Sequence, residues 1–362
     1  MRSGRSTLVG GLLVVKASVA MVELDASAVS TRLSLGEKYE PWLEELQACG
    51  PAERQWRRPS PAELAEILER LTVVPSDAAE LGEGLTRAET EPALMWLVER
   101  CRHRLVRDLG RFDAEVGEWP GLPDTLGAAG RYFYAYVFLA ALDDVRAWHV
   151  QRGIPDGVSW ATLSDLGRQM ALFRTMYGRG GLDTQWWLVR HWRGALFELG
   201  RLQFAPYRIA AGTDESEVWY EEGVAAGMGA GFRRGDAALG VHIPETGPLD
   251  PTACDRSFSW ARAFFARHGP EEEIRIATCI SWVLDDQLQE YLHEESNLVR
   301  FQRRFELVPG AVQNDVEVFK FVFKRENPTT SGVPQRTTLE RAIVAHLRAG
   351  RQWRVRTGWL YL

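Results

Sequence analysis

Cysteine pairs, a basic surface and long apolar runs are all scarce in this 362-residue chain, and each shortage removes a class of protein. The four cysteines, Cys49, Cys101, Cys254 and Cys279, are too sparse for a disulfide framework, and none forms the C-x-x-C pair that binds zinc. A reduced, cytoplasmic compartment is therefore expected. A net charge of −6 leaves no general basic surface, and no nucleic-acid motif is present, so nucleic acid is not an expected partner. Beyond the first twenty residues no run is long and apolar enough to span a bilayer, so no stable membrane insertion is expected. Asp143-Asp144 stands without a second acidic cluster, so no metal is expected either.

Met1 to Ala20 superficially resembles a leader: basic residues, then apolar Leu8 to Val15, then small residues. Lys16 interrupts the apolar run, and the preferred reading is a mis-called start with Met21 as first residue. What the chain does contain is the profile of a water-facing globular protein, 45% hydrophobic and 25% charged, with enough residues for two cores.

The first half reads as helices. Ser60-Pro61-Ala62-Glu63 is a capping box with proline at the first helical position, followed by Leu64, Ile67, Leu68 and Leu71 at helical spacing. Glu91 to Arg107 repeats the pattern, Arg131 to Arg152 is a strongly aromatic helix, and Ser159 to Tyr177 reads as a fourth. Gly178-Arg179-Gly180-Gly181 is the clearest punctuation in the chain. It divides a mainly helical domain over 22–180 from a second domain over 181–362.

In the second half Asp183 to Arg193 reads as a helix. Period two then predicts a strand over Phe197 to Ile209, with Leu199, Arg201 and Gln203 on one face and Leu202 and Phe204 on the other. A further strand or hairpin is predicted around Glu217 to Tyr220. Phe305 to Val308 and Val316 to Phe323 are predicted to pair as a hairpin. Thr337 to Ala349 reads as a helix and Trp353 to Tyr361 as a last strand.

The most informative block runs from Ala237 to Phe305: strand, loop, helix, strand, helix. Its first strand leads through His242 to Glu245-Thr246-Gly247, and its second is Ile274 to Trp282. Two neighbouring parallel strands can part at their ends and admit a thin, amide-rich chain such as phosphopantetheine. The intervening helix then begins where a phosphate would lie.

Several stretches together resemble the bacterial two-domain acyltransferases. They are Trp187-Leu188-Val189-Arg190-His191-Trp192-Arg193-Gly194 with Phe197 to Phe204, His242-Ile243-Pro244-Glu245 with Leu249-Asp250-Pro251, Ser281 to Asp285 leading to Ser296 to Phe301, and Thr337 to Ala342. The resemblance implies an α/β fold: a mainly helical N-terminal domain packed on a GNAT-like mixed sheet. It further implies N-acyl transfer, with relatives that attach fatty chains to amines in actinomycete antibiotic pathways. No permanently bound cofactor is implied. The co-substrate is acyl-CoA or an acyl carrier protein, and the acceptor is an amine-bearing small molecule, natural product or peptide. The chain departs from the ordinary Arg/Gln-x-x-Gly-x-Gly/Ala phosphate loop. Glu245 to Pro251 has one glycine, two acids and two prolines, and proline has no N–H to give. A carrier protein's single phosphate suits that loop better than a pyrophosphate.

Amide formation from a thioester needs a proton acceptor for the amine, donors for the oxyanion and a proton for the thiolate. His242, near a strand end with its side chain opposite Val241 and Ile243, is the candidate base, weighed against a half-buried histidine bonded to backbone. Glu245 is a candidate orienter or water-assisted base, or a solvated loop acid. Tyr291 is the candidate acid for the thiolate, on the helix after the second strand. The backbone of Val241 and Ile243, the first-turn amides of Thr252 and Ala253, Arg256 and Ser281 are the candidate donor site. Arg201, Gln203, Trp282 and Asn297 are candidates for the acceptor or acyl pocket. The competing readings are a sheet-bonding pair for Arg201 and Gln203, a core tryptophan for Trp282 and a structural amide for Asn297. Cys279, on an apolar strand, reads as core. A non-catalytic module that binds thioester, carrier or a biosynthetic partner remains the alternative function.

Overall fold

The computed structural model of the protein describes residues 24–52, 54, 56–112, 114, 116–209, 235–269 and 273–362. Met1 to Ala20 and the strand predicted around Glu217 to Tyr220 lie outside them.

Ten helices, α1 to α10, come before the first strand among the described residues: Ala26–Leu33, Glu40–Cys49, Pro61–Arg70, Pro75–Ala88, Pro92–Arg107, Gly127–Arg131, Phe133–Gln151, Asp156–Leu163, Asp165–Tyr177 and Gln185–Trp192. The capping box of α3 forms in both directions, with Ser60 N–H on Glu63 Oε2 at 2.7 Å and Glu63 N–H on Ser60 Oγ at 3.3 Å. Helix α7 is apolar on all sides from Phe133 to Leu142 and is accordingly buried by its neighbours. The helix expected over Ser159 to Tyr177 is two helices. Ser164 gives its carbonyl to Thr72 Oγ1 at 3.0 Å, and just beyond it Gly167 meets the backbone of Leu71 and Thr72, where a Cβ would lie 2.3 Å from the Leu71 oxygen. This close approach turns the chain between α8 and α9.

Seven strands follow: β1 (Phe197–Leu199), β2 (Leu202–Arg208), β3 (Ala237–His242), β4 (Ile276–Ser281), β5 (Glu306–Leu307), β6 (Val312–Gln313) and β7 (Arg354–Tyr361), among the described residues. They form a mixed sheet in the order β1-β2-β3-β4-β7-β5, with β6 also on β7. Only β3 and β4 are parallel. The strand expected over Phe197 to Ile209 is a hairpin, turned at Gly200, whose φ of +80° suits a residue without a Cβ. The hairpin expected between Phe305 to Val308 and Val316 to Phe323 is absent: β5 and β6 both pair with β7, and Val316 to Phe323 is helical. Asn314 caps that segment by accepting from Glu317 N–H, and Val318, Phe319 and Phe323 face the core.

Helix α11 (Pro251–His268) connects β3 to β4. Helices α12 (Asn297–Gln302), α13 (Asp315–Val318) and α14 (Thr338–Arg348) complete the second domain. One apolar cluster is built from α1 to α10 around α7. A second joins Phe204, Leu239, Val241 and Cys279 of the sheet to Cys254, Ala261, Phe264 and Phe265 of α11.

Asp285 fixes the corner between β4 and β7. It is fully buried and accepts from Gln287 N–H (3.1 Å), Arg354 N–H (2.8 Å) and Arg354 Nη2 (2.9 Å). Removing the Asp285 carboxylate leaves the Gln287 and Arg354 backbone N–H groups without their acceptor, while the Arg354 guanidinium keeps Asp286 at 2.8 Å. Asp285→Ala is expected to cost about 3 kcal/mol, and Tm measured by calorimetry should fall by roughly 4 to 8 °C.

Candidate active site

The site is organised by where strand pairing stops. Strands β3 and β4 are paired at Leu239 with Ala277 and at Gly240 with Thr278, and there the ladder ends. Both strands run on, β3 to His242 and β4 to Ser281, while their outer edges stay paired with β2 and β7. The facing edges of these end segments therefore carry backbone N–H and C=O groups without a partner strand.

His242 is the last residue of β3. Val241 points into the sheet–α11 core at 2% exposure, so alternation places His242 on the opposite face. There its ring meets the edge of Trp187 from α10, with centroids 4.7 Å apart and planes at 72°. Gly240 beneath it leaves room for the imidazole to lean back along the strand: a Cβ at 240 would lie 3.3 Å from His242 Nε2. Among the described residues neither ring nitrogen has a hydrogen-bond partner. Some of the residue's surface remains accessible, but protein packed around the ring pushes its pKa down to about 3, helped by repulsion from Arg190 and His191. The imidazole is thus neutral across the physiological range.

A buried polar network anchors this face. Gln203, opposite His242 on β2, donates to Glu198 at 3.2 Å and to Asp165 at 3.4 Å. Arg168 bonds Asp165 at 2.8 Å and also pairs with Glu198. His191 Nε2 lies 3.6 Å from the Asp165 carboxylate, and its Nδ1 is 3.3 Å from the Trp187 carbonyl. Burial alone would raise Asp165, but His191 and Arg168 outweigh it and hold its pKa low. Burial lowers His191 against the pull of Asp165, and raises Glu198. These groups join α9 and α10 to β1 and β2, and so fix Trp187 over His242.

Sequence reasoning named none of Asp165, Arg168, Trp187, His191 or Glu198 as site residues. Two signals were available: Trp187 and His191 stand four apart on one helix face, and Asp165 and Arg168 three apart on another.

The other candidates are placed as follows. Glu245 pairs with Lys324 beyond β3 and does not reach His242. Tyr291 turns its hydroxyl to His346 Nδ1 at 3.2 Å and its ring to Trp353, rather than to any group on β3. It and Asn297 do not share one helix: Tyr291 closes a 3-10 turn over Asp286–Glu290, and Asn297 opens α12. Ser281 caps a 3-10 turn by accepting from Val283 N–H, and Trp282 lies in the second core. At the start of α11 Asp250 accepts from Ala253 N–H at 2.8 Å, so that amide is occupied. Thr252 N–H and the exposed Arg256, one turn on, have no partner among the described residues. Gln203 is buried in the network above. Arg201 sits at the β1–β2 turn and gives its guanidinium to three carbonyls of the loop after β3. Cys279 is buried, and burial pushes its thiol up to about 12, which removes it as a nucleophile.

Parted parallel strands, a helix beginning just past them and a histidine at the open end have the layout of a GNAT-like acyltransferase. Residues 62–194 match the N-acyltransferase N-terminal domain and residues 196–360 the GNAT-like C-terminal domain. Solved structures agree. An acyltransferase in complex with decanoyl-CoA and teicoplanin is 41% identical, with 94% of this chain and 100% of that one covered and a TM-score of 0.84. An acyltransferase in complex with CoA and 10C-teicoplanin is likewise 41% identical over the same shares, with a TM-score of 0.83. A third, with decanoyl-CoA, is 39% identical over those shares, with a TM-score of 0.84. No curated protein matches the chain. The chain belongs to the two-domain acyltransferases that join these two domains. Among the described residues no helix is long and apolar enough to cross a membrane, and no group of three or more histidine, cysteine or acidic side chains is placed to hold a metal.

The depressed pKa of His242 has a stability consequence with a fixed sign. The unfolded ring takes a proton near pH 6.5 and the folded ring only near 3. Its contribution is therefore complete above 6.5 and is lost as pH falls from there through 3. His149, pushed down to about 4 by burial, acts in the same direction. Urea unfolding at pH 7 and pH 4.5 should show wild type losing more stability than His242→Ala, by on the order of 2 kcal/mol. Equal losses would show that the ring is solvated.

Proposed function

We propose that the protein transfers a fatty acyl group from coenzyme A to an amine on a natural product. The observation that carries this reading is the slot between β3 and β4 with a neutral, unpaired imidazole at its open end. Three similar structures contain CoA or decanoyl-CoA, and two contain teicoplanin or 10C-teicoplanin, which makes acyl-CoA the favoured donor and a glycopeptide amine the first acceptor class to test.

In this mechanism the pantetheine lies along the unpaired edge of β3, and backbone N–H groups near Val241 and Ile243 polarise the thioester carbonyl. The amine nitrogen attacks the carbonyl carbon, giving a tetrahedral intermediate with a positive nitrogen. His242 takes the nitrogen's proton. The C–S bond then breaks, and the thiolate leaves as coenzyme A thiol with the proton that His242 returns. A low pKa makes His242 a weak base toward free amine. The burial that lowers it keeps the ring unprotonated and so able to accept, and attack on the carbonyl makes the amine nitrogen more acidic than a free ammonium. The network of Asp165, Arg168, His191, Glu198 and Gln203 holds Trp187 against the ring and keeps water from one side of it.

Mixing octanoyl- or decanoyl-CoA with a glycopeptide amine should release free thiol and add one acyl mass to the acceptor. His242→Ala should lower turnover by roughly 100- to 10,000-fold with its Tm preserved. Near-normal turnover in that variant would remove His242 from the chemistry. Donor binding without thiol release, across several amines, would favour the non-catalytic module instead.

A further inference from the structure

The loop from Ile243 to Asp250 lacks the glycines that ordinarily let backbone amides surround a phosphate, yet one side chain bonds three of its carbonyls, besides the turn from Thr246 N–H to Pro244 O at 2.9 Å and the pairing of Glu245 with Lys324. Arg201 Nη1 donates to Pro244 O at 2.9 Å, Nη2 to Gly247 O at 2.7 Å and Nε to Pro248 O at 2.9 Å. Its own backbone N–H donates to Ser257 Oγ on α11 at 2.7 Å. Arg201 is therefore the hub on which the β1–β2 turn, the loop after β3 and α11 converge, its guanidinium holding the loop and its backbone N–H holding the helix. Gly247, at φ +122°, supplies the one bend in the loop that a side chain would oppose.

The direction of those carbonyls fixes the direction of the amides. In a trans peptide unit C=O and N–H point opposite ways, and no described peptide bond is cis. With Pro244 O turned toward Arg201, Glu245 N–H faces outward. With Pro248 O turned the same way, so does Leu249 N–H. Neither amide has an acceptor among the described residues, and Thr252 N–H, just inside α11, is likewise unpartnered.

We infer that Arg201 is a positioning residue which, by drawing three carbonyls inward, turns the Glu245 and Leu249 amides outward to bind the phosphates of the acyl donor. This rests on the reading of the protein as an acyl-CoA enzyme. A side chain borrowed from the neighbouring hairpin does here what a glycine-rich sequence does by its own conformational freedom. The fork geometry is essential: lysine keeps the charge but has one nitrogen and cannot span three carbonyls.

Calorimetry with octanoyl-CoA and S-octanoyl-pantetheine, which lacks the phosphates, tests the inference. Wild type should bind octanoyl-CoA the more tightly. Arg201→Lys should weaken octanoyl-CoA by about tenfold while leaving S-octanoyl-pantetheine unchanged. Added guanidinium should restore part of the loss in Arg201→Ala. In the wild-type protein, independent of any variant's folding, the backbone amide resonances of Glu245 and Leu249 should shift with octanoyl-CoA and not with S-octanoyl-pantetheine. Equal weakening of both ligands, no weakening of either, or unmoved amides would overturn the clamp. A wild-type protein that binds neither thioester would instead sink the functional reading on which it rests.

Discussion

The loss of pairing between β3 and β4 beyond Gly240 and Thr278 is the constraint on which the rest of the structure depends. A sheet gains by completing its ladders, so two strands that run on unpaired must be held apart by their other neighbours. Here β2 holds β3 through His242, and β7 holds β4 through Ser281. Asp285 locks β7 in place at its first residue. The open slot is thus maintained by rigid edges on both sides, which is how a binding groove acquires unpaired backbone at an acceptable cost.

The two domains divide the work around that slot. On one face the sheet packs on α11 through an apolar core, which makes the strand positions precise. On the other it meets α9 and α10 through charged and amide groups that are mostly buried. Such a network is specific in geometry because every member that lacks its partner is penalised. His191 Nε2 still lacks a full hydrogen bond, at 3.6 Å from Asp165, so the network is close to satisfied rather than saturated. Its output is the location of one indole edge over one imidazole.

Much of this was legible in the sequence. The capping box at Ser60, the helix over Thr337 to Ala349, the aromatic helix α7 and the strand–loop–helix–strand block all correspond to observed elements, because each rests on local patterning. Failures came where tertiary contact overruled the pattern. Period two ran unbroken through Gly200, but the chain folds back there. Val316 to Phe323 has strand-like residues, yet the Asn314 cap and a buried face make it helical. For the site, position along the strand placed His242 at the open end and opposite Val241. The residues around it come from two helices and two strands, and single-sequence periodicity carries no record of which helix crosses which strand.

Strand β7 pairs with both β4 and β5, well inside the sheet, although it is made from residues 354–361. A ribosome emits the chain from the other direction. Until Arg354 onward has emerged, β4 has a bare edge, Asp285 has no Arg354 and the donor slot has one loose wall. The helical domain can mature early, during synthesis, while the acyl-transfer half waits for its last strand to arrive. The wall of the slot is therefore completed from residues far downstream of His242, and its closure in folding waits on a segment separate from the strand that carries the imidazole.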